Sequence, residues 1–123
     1  MVSPIEIRNA VIESTRLGYE DHSIFTYWLM LDYGGEGQGF GGYTLDEWDE
    51  DTRTRVGTAF GQQAIIALLK VVGVRSWEEL KGKYVRVKAA HSKVVAIGNI
   101  LREDWFSLDE LSSKYFPNRE VEL

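Results

Sequence analysis

Arginines close to acids and aromatic rings are the residues of this 123-residue chain with the clearest chemistry. Arg53 and Arg55 fall where the main predicted helix begins, and the helix dipole favours anions there. Arg102 is followed closely by Trp105 and Phe106. A guanidinium offers a planar fork of donors to a phosphate, and an aromatic ring offers a flat surface to a base. These residues favour binding of a small phosphorylated ligand, with structural ion pairs and core packing as the alternative.

Catalytic chemistry has little support in the sequence. The chain has no cysteine, which excludes disulfides, thiolate catalysis and zinc-finger sites. It has no Gly-x-Ser-x-Gly elbow, and its histidines, His22 and His91, stand alone in predicted turns. Glu103 and Asp104 leave a two-carboxylate mechanism open, although adjacent residues of regular structure point apart. We therefore expect no enzyme activity, no cofactor and no metal site.

The segment Gly34–Gly42 contains six glycines in nine positions. Gly37, Gly39 and Gly42 match the spacing of a dinucleotide fingerprint, but such a fingerprint must open directly into a helix. Here an acidic run follows instead: Asp46, Glu47, Asp49, Glu50 and Asp51. The glycines therefore predict a sharp strand reversal with close backbone approach, and the acids predict a solvated entry to the next helix.

Charge is unevenly distributed along the chain. The net charge is −5, from 14 cations and 19 acids. Between Leu80 and Arg102 there are six cations and no acid, which leaves −11 for the other residues. An acidic body disfavours a nucleic-acid polymer, whose affinity depends on many phosphate contacts, but a small anion responds mainly to its local pocket. A solvated basic strand face is the alternative interpretation of the cationic segment.

Alternating apolar and polar residues predict an antiparallel sheet. Ile5–Ser14 and Ile24–Leu31 are expected to form a hairpin, and Ile24–Leu31 is apolar on both faces, as in a central strand or a subunit contact. Tyr84–Ala89 alternates cleanly, with its valines inward, and turns into a strand at Lys93–Ile97.

A four-residue apolar repeat predicts the main helix over Thr52–Val72. Asp51 or Thr52 is expected to cap its start, and Gly73 to end it in the left-handed conformation. Gly57 and Gly61 would lie one turn apart on this helix, where each costs about 1 kcal/mol relative to alanine. Such a pair indicates close approach of another backbone, a ring or a ligand.

Together these elements predict a single α+β domain over residues 1–123. We expect an antiparallel sheet packed against one long helix, with short accessory helices that begin at capping boxes after Ser76 and Ser107. The longest apolar run, Ala64–Leu69, is too short to span a bilayer. The first residues also lack the plan of a signal peptide. A soluble, cytoplasmic protein is the expectation.

Several segments together resemble a small phage-borne family, the first family of Thoeris anti-defence proteins. The segments are Leu17–His22, Leu31–Gly35, Gly37–Tyr43, Arg55–Gly61, Ile97–Gly98 and Asp104–Phe106. The resemblance covers most of the chain, from Ile5 to Phe106. Members of that family are sponges that sequester the cyclic ADP-ribose isomer made by a TIR-domain defence enzyme.

The resemblance implies a non-catalytic α+β protein of the host cytoplasm, a homodimer either alone or assembled into a trimer of dimers. It implies nucleotide pockets between protomers, and some members also bind cyclic oligonucleotides at separate sites. Arg55 and Arg102 would contact phosphates and Tyr84 would stack on a ring, but the turn Ala90–Ser92 lacks the asparagine expected there. The residues expected to bind ligand are Arg55, Thr58, Phe60, Tyr84, His91, Ser92, Arg102, Asp104 and Phe106.

Two other functions stay open at this point. One is a phage protein that inhibits a bacterial defence protein by direct contact, with Trp28 and Met30 in an exposed patch. The other is a small hydrolase that cleaves the nucleotide signal. In each case neither a nucleic-acid polymer nor a membrane is an expected partner.

Overall fold

Antiparallel strands make up most of the regular structure in the computed structural model, which describes residues 4–20 and 24–117. The strands are β1 (Glu6–Tyr19), β2 (Phe25–Asp32), β3 (Gly37–Gly41), β4 (Asp46–Asp49), β5 (Thr54–Gly57), β6 (Tyr84–Ala89), β7 (Val94–Gly98) and β8 (Trp105–Phe106). The helices are α1 (Ala59–Val72) and α2 (Leu108–Tyr115), with a 3₁₀ turn at Trp77–Glu79. The fold is therefore α+β, as predicted.

Six of the strands form one sheet in the order β3-β2-β1-β6-β7-β8, and β4 pairs with β5 in a separate hairpin. The sheet is strongly curled. This is shown by the contact of β3 with β7, although three other strands lie between them in the sheet. Its inner face packs against α1 and α2 around one apolar core. In the described part of the chain, no helix has the length and apolarity needed to cross a membrane.

The predicted hairpin of β1 and β2 is confirmed. The two strands pair antiparallel from Tyr19 opposite Phe25 to Val11 opposite Asp32, with a register shift near Ile12. β1 runs five residues beyond its predicted end, because its second half follows β2 to the turn. The predicted position of His22 in a turn lies outside the described residues.

The predicted strands at the cationic segment are also confirmed. Val85 and Val87 of β6 are fully buried and Ala89 is nearly so, while Tyr84 points outward. β7 pairs with β6 on one side and with β8 on the other.

The glycine-rich segment reverses the chain between β2 and β3, as predicted. Gly34 and Gly35 have φ values of 86° and 105°, and their N–H groups donate to Asp32 Oδ1. A Cβ at Gly41 would overlap the carbonyl oxygen of Tyr27. Glycine is thus required both by the turn and by the close approach of β3 to β2.

The predicted start of the main helix is wrong. α1 begins at Ala59, seven residues after Thr52, and has 14 residues. The N-cap is Thr58, whose Oγ1 accepts from Gly61 N at 2.9 Å and donates to Leu45 O at 2.7 Å. The preceding residues are extended because β5 pairs with β4. The predicted end is confirmed, since Gly73 has a φ of 90°.

This shift also corrects the interpretation of the acids and of the two glycines. The acidic run forms β4 and the turn that follows it, not a helix entry. Gly57 lies at the end of β5, and a Cβ there would meet nothing within 4 Å. Gly61 lies in α1, where a Cβ would overlap Leu45 O. The predicted close approach of another backbone is therefore confirmed at Gly61 and wrong at Gly57.

Both short accessory helices begin where predicted. The Glu79 carboxylate accepts from Ser76 N at 2.9 Å, which closes the first capping box. Ser107 Oγ accepts from Glu110 N at 3.2 Å at the start of α2. α2 ends at Tyr115, two residues before Pro117.

Candidate ligand-binding site

An ion pair between Arg55 and Asp46 lies at the base of the β4–β5 hairpin. Arg55 Nε donates to Asp46 Oδ2 at 2.9 Å, and Nη2 donates to Oδ1 at 2.8 Å. Asp46 Oδ1 also accepts from Phe25 N at 3.0 Å, which ties the hairpin to the sheet. The Asp46 side chain is 5% exposed and that of Arg55 is 23% exposed. Arg55 is therefore held in one orientation with part of its guanidinium open to solvent.

Hydrogen bonding keeps this pair charged. The bonds that Arg55 donates lower the pKa of Asp46, against the opposing effect of burial, and the Phe25 N–H lowers it further. The same bonds raise the pKa of Arg55. At neutral pH the site therefore presents a guanidinium whose charge is partly balanced by a carboxylate.

Arg55 borders a cleft of about 350 Å³, within the usual range of ligand pockets. We call it the Arg55 cleft; it is lined by Tyr43, Thr44, Asp46, Glu47, Arg55, Thr58, Phe60, Ser112 and Phe116. The Phe60 ring lies 5.6 Å from that of Phe116 and 6.5 Å from that of Tyr43, measured between centroids. One side of the cleft is thus charged and the other aromatic.

Side chains fix most walls of the Arg55 cleft. Thr58 is bonded to the backbone of Leu45, and Thr26 Oγ1 donates to Tyr43 O at 2.5 Å. Three of the predicted ligand residues, Arg55, Thr58 and Phe60, meet in this cleft. Phe60 is only 3% exposed, so it supports the neighbouring rings rather than offering a face of its own.

The free edge of Arg55 gives the cleft its binding chemistry. A guanidinium has five N–H donors, and in the part of the chain that the structure describes Nη1 donates to no residue. An anionic oxygen can therefore bind Nη1 while Asp46 keeps Nε and Nη2. The exposed Glu47 carboxylate can accept from a hydroxyl or an amine of the same ligand.

Arg102 and Asp104 lie at the other end of α1. Arg102 Nε donates to Asp104 Oδ2 at 2.8 Å, and Nη2 donates to Lys70 O at 3.2 Å. A cation at a helix C-terminus is stabilised by the dipole. At a rise of 1.5 Å per residue, the 14-residue helix separates Arg102 from the Arg55 cleft by about 15–20 Å. Within one chain the two predicted phosphate ligands do not come together.

The remaining predicted residues are dispersed. Tyr84 is 67% exposed on the outer face of β6. His91 and Ser92 border two other clefts on either side of the β6–β7 turn. Phe106 is buried, with its ring 6.1 Å from that of Phe40, and so belongs to the core.

The cationic segment is not a uniformly basic surface in the folded chain. Acids that follow it in sequence pair with half of its cations: Arg86 with Glu103, Lys93 with Asp109 and Arg102 with Asp104. Arg86 and Lys88 also lie over the Trp105 ring, at 4.8 and 4.4 Å from its centroid. Half of the +6 charge of this segment is therefore balanced locally by ion pairs.

Sequence reasoning missed Asp46, Tyr43, Ser112 and Phe116 as site residues. The acidic run that contains Asp46 predicts a helix entry, but Thr54 and Val56 beyond the polar turn are β-branched and typical of a returning strand. The other three reach the cleft through tertiary packing, for which the sequence carries no local signal. Among the described residues, no group of three or more histidines or acids could hold a metal ion.

Comparison with known proteins adds no relative to this picture. No protein-family profile matches the chain, and no curated protein is significantly similar to it. The geometry of the Arg55 cleft and the sequence resemblance are therefore the basis for a functional interpretation.

Proposed function

We propose that this protein binds and sequesters a cyclic nucleotide immune signal, without cleaving it, in the cytoplasm of an infected host. The signal proposed is glyco-cyclic ADP-ribose, the type of product made by TIR-domain enzymes. The observation that carries the proposal is the oriented Arg55 guanidinium at the edge of a cleft with an aromatic wall. The resemblance of the sequence to anti-defence sponges supports the choice of this ligand class.

The chemistry of the cleft suits the parts of a nucleotide. Arg55 Nη1 would donate to a phosphate oxygen in a charge-assisted hydrogen bond. Tyr43 and Phe116 are half-buried and would offer ring faces to the base, worth about 1–3 kcal/mol for a stacked base. The hydroxyls of Thr58 and Ser112 would reach ribose oxygens.

The same lining favours storage over turnover. Proton transfer needs a group that can accept a proton near neutral pH. Asp46 is a poor base, because its bonds to Arg55 lower its pKa. The described lining of the cleft includes no histidine, cysteine or lysine, and its other carboxylate, Glu47, is exposed to solvent rather than held towards a reacting group.

The separation of Arg102 from Arg55 bears on the proposed oligomer. A ligand that contacts both Arg55 and Arg102 would have to lie between two copies of the chain, since the length of α1 separates them in one copy. Exposed Tyr84 and Ile7 on the outer sheet face provide apolar surface for such contacts. We therefore propose a homodimer, with a trimer of dimers as its further assembly.

Titration calorimetry with glyco-cyclic ADP-ribose tests the site. Arg55→Ala should weaken binding about 10- to 100-fold, because a charge-assisted hydrogen bond to phosphate is lost. Arg53→Ala is the matched control: Arg53 is an exposed arginine two residues away in the turn, and its loss should change affinity less than twofold. Full affinity in the Arg55→Ala protein would place the ligand elsewhere.

Direct contact with a defence protein is the second candidate function, favoured by two exposed residues. Trp28 is 38% exposed and Met30 is 44% exposed on the outer face of β2. The Trp28 ring packs over Gly39 and Gly42, which fixes it as a flat apolar surface. In that case Trp28→Ala would abolish inhibition of the defence system while Arg55→Ala would not.

A further inference from the structure

Helix α2 is the least anchored wall of the Arg55 cleft. Of its eight residues only Leu108, at the very start, is fully buried, and Leu111 is partly buried against the core. The Lys93–Asp109 ion pair that ties its first turn to the sheet is long, at 3.3 Å, and both side chains are more than half exposed. Exposed ion pairs of this kind contribute little to stability, about 0–1 kcal/mol.

The far end of α2 covers the aromatic side of the cleft. Ser112 and Phe116 line the cleft directly. The rings of Tyr115 and Phe116 lie 6.0 and 5.6 Å from that of Phe60 and keep it buried. Removal of α2 would therefore open one whole side of the cleft.

The other walls cannot move without breaking buried bonds. Asp46 joins Arg55 to the backbone of Phe25, and Thr58 joins α1 to Leu45. Gly61 packs directly against the Leu45 backbone. Any change in the size of the cleft would therefore require α2 to move.

The size of the cleft favours such a change when the ligand is a nucleotide. Its volume of about 350 Å³ is near the lower end of the range for small-ligand pockets, about 300–1,000 Å³. A cyclic nucleotide with a base, two riboses and two phosphates is among the larger small ligands and needs more room.

We propose that α2 is a lid of the Arg55 cleft, which opens by local detachment of its Leu111–Tyr115 part and closes over bound ligand through Phe116. This inference rests on the proposed function for the identity of the ligand, but not for the motion of the helix. Leu108 and the Ser107 cap act as the anchored end.

Amide hydrogen exchange of the unliganded full chain tests the motion without any ligand. Amides of Leu111–Tyr115 should exchange at least about 100-fold faster than those of Leu68 and Val71 in α1, because local opening costs less than global unfolding. Equal protection of the two helices would mean that α2 leaves only when the whole fold unfolds, and would overturn the lid.

The second arm uses glyco-cyclic ADP-ribose as the probe. At saturation, protection of the Leu111–Tyr115 amides should rise at least tenfold, and unchanged protection in the bound protein would overturn closure. In stopped-flow measurements, Phe116→Ala should raise both the association and the dissociation rate at least tenfold. If α2 were a fixed wall, the same substitution would raise the dissociation rate alone. Lys114→Ala, on the exposed side of α2, is the control and should leave both rates within twofold.

The two arms separate the two proposals. If the nucleotide does not bind at all, the proposed function fails, and the exchange of the unliganded protein still decides whether α2 opens. If it binds but α2 lacks either the faster exchange or the ligand-dependent protection, the lid fails and the proposed function stands.

Discussion

Asp46 controls which part of the Arg55 side chain a ligand can reach. Its two oxygens take Nε and Nη2, so that Nη1 is the donor left to the cleft. Its bond from Phe25 N keeps the carboxylate in place. Asp46 therefore orients Arg55 and also tempers its attraction for anions.

The lowered pKa of Asp46 predicts an acid-dependent loss of stability. The unfolded carboxyl titrates near pH 3.9, and the folded one titrates below that value because Arg55 donates to it. Stability from the pair is thus fully present above about pH 4 and is lost as the pH falls through the folded pKa. Asp46→Asn should destabilise the protein at pH 7, and the difference from wild type should shrink as the pH falls from about 5 to about 2 in urea titrations. A constant difference over that range would contradict the proposed charged pair.

Arg53 carries local backbone strain at the tip of the β4–β5 hairpin. It is the one non-glycine residue with a positive φ, 55°, in the part of the chain that the structure describes. Arg53→Gly should raise the free energy of unfolding by about 0.5–1 kcal/mol, since relief of left-handed strain outweighs the added freedom of the unfolded chain. Arg53→Ala keeps the strain and is the control in the same urea titration. Equal stability of the two variants would mean that the turn is not strained.

At the scale of elements, the packing of α1 on the loop before β4 sets the shape of the cleft. Gly61→Ala should destabilise the protein by about 1–3 kcal/mol, because the added methyl group overlaps Leu45 O. Intrinsic helix propensity alone would predict a gain of about 1 kcal/mol, so the sign of the effect is diagnostic. Thermal unfolding measures it.

Gly57→Ala is the matched control for that substitution. A Cβ at Gly57 meets no atom within 4 Å, so its stability should change by less than about 0.5 kcal/mol. Equal effects at the two glycines would argue against close approach at Gly61.

Sequence patterns predicted those elements that depend on residues close together in the chain. β2, β6 and β7 have alternating or continuous apolar residues that leave few alternatives, and Gly73 ends α1 by its own φ. The start of α1 was not predictable in this way. Val56 continues the helical repeat upstream of Ala59, and the competing strand depends on pairing with β4.

The candidate site was predictable in part, for the same physical reason. Arg55 is predicted by residue type to bind an anion at a helix start; the structure places it in β5, paired with Asp46, and its binding of an anion stays a prediction. Two distant residues decide its geometry. Asp46 lies 9 residues before Arg55, and Phe25 lies a further 21 residues before Asp46. Likewise, the acids that balance the cationic segment lie beyond Arg102 and act only in the folded chain.

At the scale of the whole molecule, the outer face of the sheet exposes apolar side chains to solvent. Ile7, Tyr84, Trp28 and Met30 are all exposed there, and Leu101 is 90% exposed in a turn next to β7. We expect light scattering at micromolar concentration to give at least twice the monomer mass of 14.0 kDa. A monomeric mass would contradict both the proposed dimer and a ligand shared by Arg55 and Arg102.

The most direct measurement of the central claim is recovery of the nucleotide after binding. The protein is incubated with glyco-cyclic ADP-ribose, freed of unbound nucleotide and heated to release what it holds, and the released material is identified by mass spectrometry. We predict near-stoichiometric retention and release of the chemically unchanged nucleotide, with retention lost in Arg55→Ala and kept in Arg53→Ala. Release of a cleaved product would contradict sequestration and indicate a hydrolase, whereas no retained nucleotide would contradict nucleotide binding altogether.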